Sequence, residues 1–175
     1  MKKNILIYGL IAGIVVSTLM LISVNSLGHG EGNFNYTRSL VIGYASMLIA
    51  FSLVFVGIRN YRDKYNGGVI SFGKAFKIGI MIVLIASTIY VIAWLIDSYF
   101  FMPDFAENYA ANTIEKLKSS GASQIEIDKQ TKEMTGFVSM YKNPFYVSMM
   151  TYLEILPVGL LVTLISSFIL KRKAR

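Results

Sequence analysis

Apolar residues in this chain gather into four long blocks, roughly Ile5–Val24, Ser39–Gly57, Ile78–Ile96 and Phe145–Leu170, separated by polar segments. A block of about 20 apolar residues crosses a hydrocarbon core of about 30 Å as an α-helix. The pattern predicts an all-α polytopic membrane protein: four transmembrane helices in a small bundle, forming a single membrane domain over residues 1–175. The polar segment Phe100–Asn143 differs in rhythm. Phe105, Tyr109, Ile114 and Leu117 recur at helical spacing from about Asp104 to Lys118. Ser119-Ser120-Gly121 breaks that helix. Ser123 with Glu126 three residues later has capping-box spacing and predicts a second short helix through about Met134. A helical outer insert over about 104–136 is therefore expected.

Small residues punctuate the apolar blocks. Gly9, Gly13 and Ser17 recur every four positions in span one, and Gly159, Thr163 and Ser167 do so in span four. Such a stripe lets another helix approach closely, and the matching stripes suggest contact between spans one and four. Between spans two and three, Asn66-Gly67 signals a turn, Gly68 extends it, and Ser71 is placed to cap the next helix. Phe72, Ala75 and Phe76 share a face, while Lys74 and Lys77 point elsewhere. This is the pattern of a short interfacial helix that bends into span three or continues it directly. Pro157 removes a backbone donor from span four and predicts a kink near Leu153.

Charge gives the threading. Eleven of the 17 basic residues lie in three groups: Lys2 and Lys3; Arg59, Arg62, Lys64, Lys74 and Lys77; and Lys171, Arg172, Lys173 and Arg175. Only Asp63 opposes them there. The other side holds Arg38 and five lysines with seven acids, among them Glu31, Asp104 and Glu107. Cytoplasmic loops carry the excess of Lys and Arg, so both termini and the middle link are expected inside, at an inner membrane. The first span, longer than a signal-peptide core and without a clear cleavage site, is expected to be retained.

The net charge of +7 flanks apolar spans, so membrane lipids, through their anionic headgroups, are the expected partners, and nucleic acid is not. Cysteine is absent, which removes thiol chemistry. His29 beside Glu31 is a single imidazole with one carboxylate, too few ligands for a structural metal. No cofactor, metal or catalytic residue is expected.

Two acids fall inside the spans. Glu154 lies seventeen positions before Lys171, about 25 Å along a helix, and Asp97 lies twenty after Lys77, about 30 Å. If the helices start level, the two lie at similar depth. Asp97 sits among Trp94, Tyr99, Phe100 and Phe101, ahead of the helix-stopping Pro103, so it is expected at the interface, nearly in water. An acid below the surface must neutralise, pair or reach water. Glu154, Asp97 and Pro157 are thus the candidate functional residues, with Tyr8, Tyr44, Tyr90 and Tyr152 as candidate hydroxyl partners.

The stretches Arg62-Asp63-Lys64, Gly67-Gly68, Ser71-Phe72-Gly73-Lys74-Ala75-Phe76 and Glu154-Ile155-Leu156-Pro157-Val158-Gly159-Leu160 carry a resemblance over nearly the whole chain. The chain resembles the small bacterial membrane-protein family catalogued as domain of unknown function 4199, found mainly in Bacteroidetes. The resemblance implies four spans and an inner-membrane location, and it supplies no activity, cofactor or catalytic residue. It marks the loop residues Gly67, Gly68, Ser71, Phe72 and Lys74, and the Glu154–Leu160 stretch. A binding, assembly or scaffold role, with a homo-oligomer or another membrane protein as partner, is the leading expectation. A small oligomeric transporter or ion-coupled carrier using Glu154 and Asp97 is the alternative. A membrane enzyme comes third, because no acid–base set accompanies His29.

Overall fold

The computed structural model describes residues 1–28 and 36–172. They form α1 (Lys2–Gly28), α2 (Tyr36–Tyr65), α3 (Phe72–Ile96), α4 (Phe105–Ser119), α5 (Gln124–Tyr141) and α6 (Pro144–Leu170). A π-helical turn, Asp97–Phe101, continues α3. Among the described residues the only extended pairing is a single antiparallel bridge between Ile70 and Arg172. Four helices, α1, α2, α3 with its π-helical turn, and α6, are long and apolar enough to cross a membrane. The chain is an all-α, multi-pass membrane protein.

Helices α2 and α3 are longer than the apolar blocks that predicted them. Arg59–Tyr65 continues α2, and Phe72–Lys77 is the first part of α3, the direct continuation of span three that was one of the two expected arrangements. Hydropathy marks where a helix meets lipid, whereas backbone hydrogen bonding carries the helix on into the headgroup layer. Pro157 lies inside α6, which is a single helix from Pro144 to Leu170.

The residues divide into two compact units, Met1–Ala93 with Tyr152–Arg175, and Trp94–Thr151. In the first, α3 buries Ala75, Ile78, Gly79, Ile82, Val83, Ala86, Ser87, Tyr90 and Val91, a stripe at three- and four-residue steps. This is the surface that ridges-into-grooves packing requires. α2 buries Met47, Ala50, Phe51, Val54, Ile58 and Tyr61 in the same rhythm, and α6 buries Ile155, Gly159, Thr163 and Ser167 at steps of four.

Glycine sets the closest approaches. A Cβ on Gly9 would lie 2.8 Å from Ile85 Cβ, and one on Gly13 would lie 2.6 Å from Ile89 Cδ1. One on Gly79 would meet Thr163 Cγ2 at 2.6 Å, and one on Gly159 would meet Val83 and Phe51. The stripes of spans one and four therefore both press against α3. The contact between the two stripes that their matching spacing suggested is not what occupies these glycines. Spacing identifies a small face but not the helix that fills it.

The second unit holds an antiparallel pair. Phe105 and Tyr109 of α4 face Tyr141 and Phe137 of α5, with ring centroids 5.7 and 5.5 Å apart. Trp94 meets Phe105 edge-on at 5.0 Å and donates its indole N–H to the Tyr141 hydroxyl at 2.9 Å. Gly121, at φ +78°, makes the turn between the helices, in a backbone region that L side chains rarely adopt. The predicted capping box is formed. Ser123 Oγ accepts from the Glu126 N–H, and Glu126 accepts from the Ser123 N–H. α5 then runs seven residues past the expected end at Met134, to Tyr141, because the half-buried rings of Phe137 and Tyr141 pack against Tyr109 and Phe105 of α4.

Candidate functional site

The loop marked by the sequence resemblance is a structural clasp. Helix α2 ends where Gly67 and Gly68 take φ of +62° and +78°, and the Gly68 N–H closes on the Arg62 carbonyl at 2.9 Å. That bond satisfies one of the carbonyls a helix end leaves open. Asn66 Nδ2 donates to the Val69 carbonyl, and Lys74 Nζ donates to Asn66 Oδ1 at 2.7 Å. The Lys74 ammonium also lies 5.2 Å from the centroid of the buried Tyr61 ring, a cation–π contact. Ser71 Oγ accepts from the Lys74 N–H at 3.3 Å, the N-cap expected of it. Phe72 packs on Phe168 with centroids 4.7 Å apart.

The clasp holds the end of α6. Ile70 and Arg172 exchange two backbone hydrogen bonds, of 3.0 and 2.8 Å. Arg62 Nη1 donates to the Leu170 carbonyl at 3.3 Å, which sets a cation where the α6 dipole is negative. Asn60 Nδ2 donates to the Tyr8 hydroxyl at 2.8 Å, tying α2 to α1 nearby. Arg62 also binds Asp63 through both carboxylate oxygens, an exposed pair of small energetic consequence. The loop residues Gly67, Gly68, Ser71, Phe72 and Lys74 thus have structural work that accounts for each of them.

The two acids of the spans fall in different surroundings. Asp97 opens the π-helical turn and is only 5% exposed. The expectation of a nearly hydrated Asp97 is therefore corrected. Of the flanking aromatic residues read as an interfacial belt, Phe100 and Phe101 are exposed, whereas Trp94 is drawn into a packed aromatic cluster. Asp97 Oδ2 has no hydrogen-bond partner. The turn is held by the Met102 N–H bonding the Asp97 carbonyl, and a π-turn of this kind often marks a functional position. No periodicity in the sequence signals it.

Glu154 is exposed on α6. It forms no hydrogen bond or ion pair among the described residues. Pro157 and Leu161, three and seven positions later, are exposed on the same face. Of the candidate hydroxyl partners, Tyr8 is taken by Asn60, and Tyr152 is bonded to Thr88 Oγ1 at 2.9 Å. Tyr44 is exposed and Tyr90 is buried. Asp97 belongs to the second unit and Glu154 to the first.

Buried hydroxyls are the feature that sequence reading underweighted. Ser17, Ser87, Thr163 and Ser167 are all buried, and their oxygens have no partner. Ser17, Thr163 and Ser167 stood out only as small residues, and Ser87 did not stand out at all. Among the described residues no three His, Cys, Asp or Glu side chains converge as a metal site would require. His29 and Glu31 lie outside the described residues.

An all-α chain with four long apolar helices defines the class: a multi-pass membrane protein. More particularly, the chain belongs to the family described as Protein of unknown function (DUF4199), whose family model matches residues 7–172. No curated protein and no solved structure matches the chain.

Proposed function

We propose that this is an inner-membrane assembly protein that docks another membrane-embedded surface on the outer face of α6. The observation that carries the reading is the exposed, unpartnered Glu154. It lies seventeen positions before Lys171, about 25 Å along the helix from the inner end and still within a hydrocarbon layer of about 30 Å. A carboxyl group facing hydrocarbon at that depth is costly whether charged or unpaired, and such residues ordinarily face protein or water. A partner that hydrogen-bonds it removes the cost. The close-packed remainder of the bundle, with glycines against side chains of α3, suits a rigid platform better than a moving carrier.

The orientation belongs to the same proposal. The bridge between Ile70 and Arg172 and the Asn60–Tyr8 bond gather the basic segments at one end of the helices. With positive charge inside, that end and both termini are cytoplasmic, and α4 and α5 face outward. Anionic headgroups then lie beside Lys171 and Arg172.

A photo-crosslinking residue at Leu161, tested in native membranes, examines the docking face. Discrete protein adducts are expected there, and none from Ile14 on the exposed face of α1. Absence of protein adducts from Leu161 would remove the proposal. A second reading, an ion-coupled carrier, has one observation in its favour: the buried, unpartnered Asp97 oxygen in a π-helical turn. Proton flux into vesicles by wild type, Asp97→Asn and Glu154→Gln tests it, and flux equal to that of empty vesicles in all three would discard it.

A further inference from the structure

We propose that the clasp end of the first unit seats an anionic phospholipid, its phosphate on Lys171 and Arg172 and its chains along the Phe72–Phe168 ring pair. This deepens the headgroup contact of the orientation reading to one place and one chemistry. It rests on that reading only for which leaflet supplies the lipid.

Charge is the first half of the case. The bridge between Ile70 and Arg172 sets the basic end of α6 beside the start of α3. Lys171, Arg172 and Lys77 are exposed and have no ion pair among the described residues. The acid of the neighbouring segment, Asp63, is already held by Arg59 at 3.6 Å and Arg62 at 2.6 Å. Lys74 is occupied within the clasp, on Asn66 Oδ1 and over the Tyr61 ring. Cations gathered by a fold repel one another, and salt screens that repulsion only beyond about 8–10 Å. The clasp collects positive charge and supplies no further anion, so an anionic ligand removes a cost the fold leaves in place.

The surface beside these cations is apolar. Lys171 Nζ lies 4.8 Å from the centroid of the Phe168 ring, and Phe168 is 57% exposed. That ring touches Phe72, with centroids 4.7 Å apart, and Phe72 stacks on Phe76 at 5.9 Å. Phe76 lies one turn farther along α3, so the rings lead from the charged end into the span. An ammonium has three donors and the ring face occupies one side of it, which leaves donors for a phosphate. Ser71, next to Ile70 in the bridge, accepts from the Lys74 N–H and keeps its own hydroxyl proton to donate. The ligand must therefore be anionic at one end and hydrocarbon along the next turn. Free phosphate makes no use of the rings, and a zwitterionic headgroup cancels its phosphate with its own ammonium. An anionic phospholipid satisfies both halves, and basic residues at the headgroup level recognise that class.

The detergent-purified full chain is titrated with phosphatidylglycerol and, separately, phosphatidylcholine, and bound lipid is counted by native mass spectrometry. Phosphatidylglycerol is expected to be retained in preference. Lys171→Gln with Arg172→Gln should weaken its binding by about five-fold for each charge removed. The bonds of Arg172 to Ile70 are backbone bonds, so these changes leave the bridge in place. Lys2→Gln with Lys3→Gln removes the same charge from α1 and should change binding little. Equal retention of the two lipids, or unchanged binding in the Lys171/Arg172 variant, would overturn the seat. Equal loss in both variants would replace it with a diffuse field. Displacement of the lipid by an equal concentration of glycerol phosphate would show that the rings play no part, and would overturn it too. Lipid counting in detergent reads neither the threading nor the outer face of α6. Its failure leaves those readings standing, and theirs, seen by maleimide labelling or photo-crosslinking, leaves the seat standing.

Discussion

Gly13, Gly79 and Gly159 each sit where a methyl group would strike a neighbouring helix. Overpacking of this kind costs about 1–3 kcal/mol. Gly79→Val and Gly13→Val are therefore expected to lower the denaturant midpoint of the detergent-solubilised protein. Gly43→Ala, where an added Cβ meets nothing within 4 Å, should not lower it. Equal effects at all three positions would contradict the packing described. Gly136, inside α5 and equally free of neighbours, offers the opposite sign to Gly13 and Gly79. Gly136→Ala should stabilise α5 by up to about 1 kcal/mol, seen as slower amide exchange along that helix. The spacing of Gly9, Gly13 and Ser17 shows in the sequence because glycine and serine are recognisable wherever they fall on a helix. That the stripe meets Ile85 and Ile89 does not show there, since every span is rich in isoleucine. Asp97 was misread for a related reason: aromatic residues gather at interfaces and in cores alike, and only the fold distinguishes the two.

At the scale of single elements, the capping box of α5 was readable because its chemistry is local. Ser123 and Glu126 need only each other. The Ser123 N–H and hydroxyl hold the Glu126 carboxyl below its ordinary pKa. A carboxylate with a depressed pKa supports the folded helix end fully above its unfolded value, and that support is lost as pH falls through the depressed one. Protonation of Glu126, followed by NMR, should have a midpoint below that of a reference glutamate peptide. In Ser123→Ala the midpoint should move upward, with fraying of the first turn of α5 beginning at higher pH. The Ser123 N–H remains in Ser123→Ala, so an unchanged midpoint would show that the hydroxyl does not hold the carboxyl. The clasp between α2 and α3 was only half readable. The Asn66-Gly67 turn and the Ser71 cap are sequence signals, but the partners Leu170 and Arg172 lie about a hundred positions away. Asn66→Ala removes the acceptor of Lys74 and the donor to Val69. A loss of about 1 kcal/mol is expected, with faster proteolysis at the Gly67–Gly68 turn.

For the whole molecule, four spans and their charge asymmetry follow from composition and order alone, because transfer from water to lipid depends on segment hydrophobicity far more than on packing detail. Which faces of those spans stay uncovered depends on how the helices meet. Glu154 drew notice as an acid in an apolar run, yet its outward aim appeared only once Ile155, Gly159 and Thr163 were seen to face inward. The family match extends over residues 7–172, so the clasp and Glu154 both lie within it.

The account depends most on the clasp end of the bundle lying in the cytoplasm, since this decides which side of the membrane the basic segments face. Because the chain has no cysteine, Lys64→Cys and Ser120→Cys can each be challenged in spheroplasts with a membrane-impermeant maleimide. Labelling of Ser120→Cys at once, and of Lys64→Cys only after the membrane is opened, is the predicted result. Immediate labelling of Lys64→Cys with Ser120→Cys protected would contradict it.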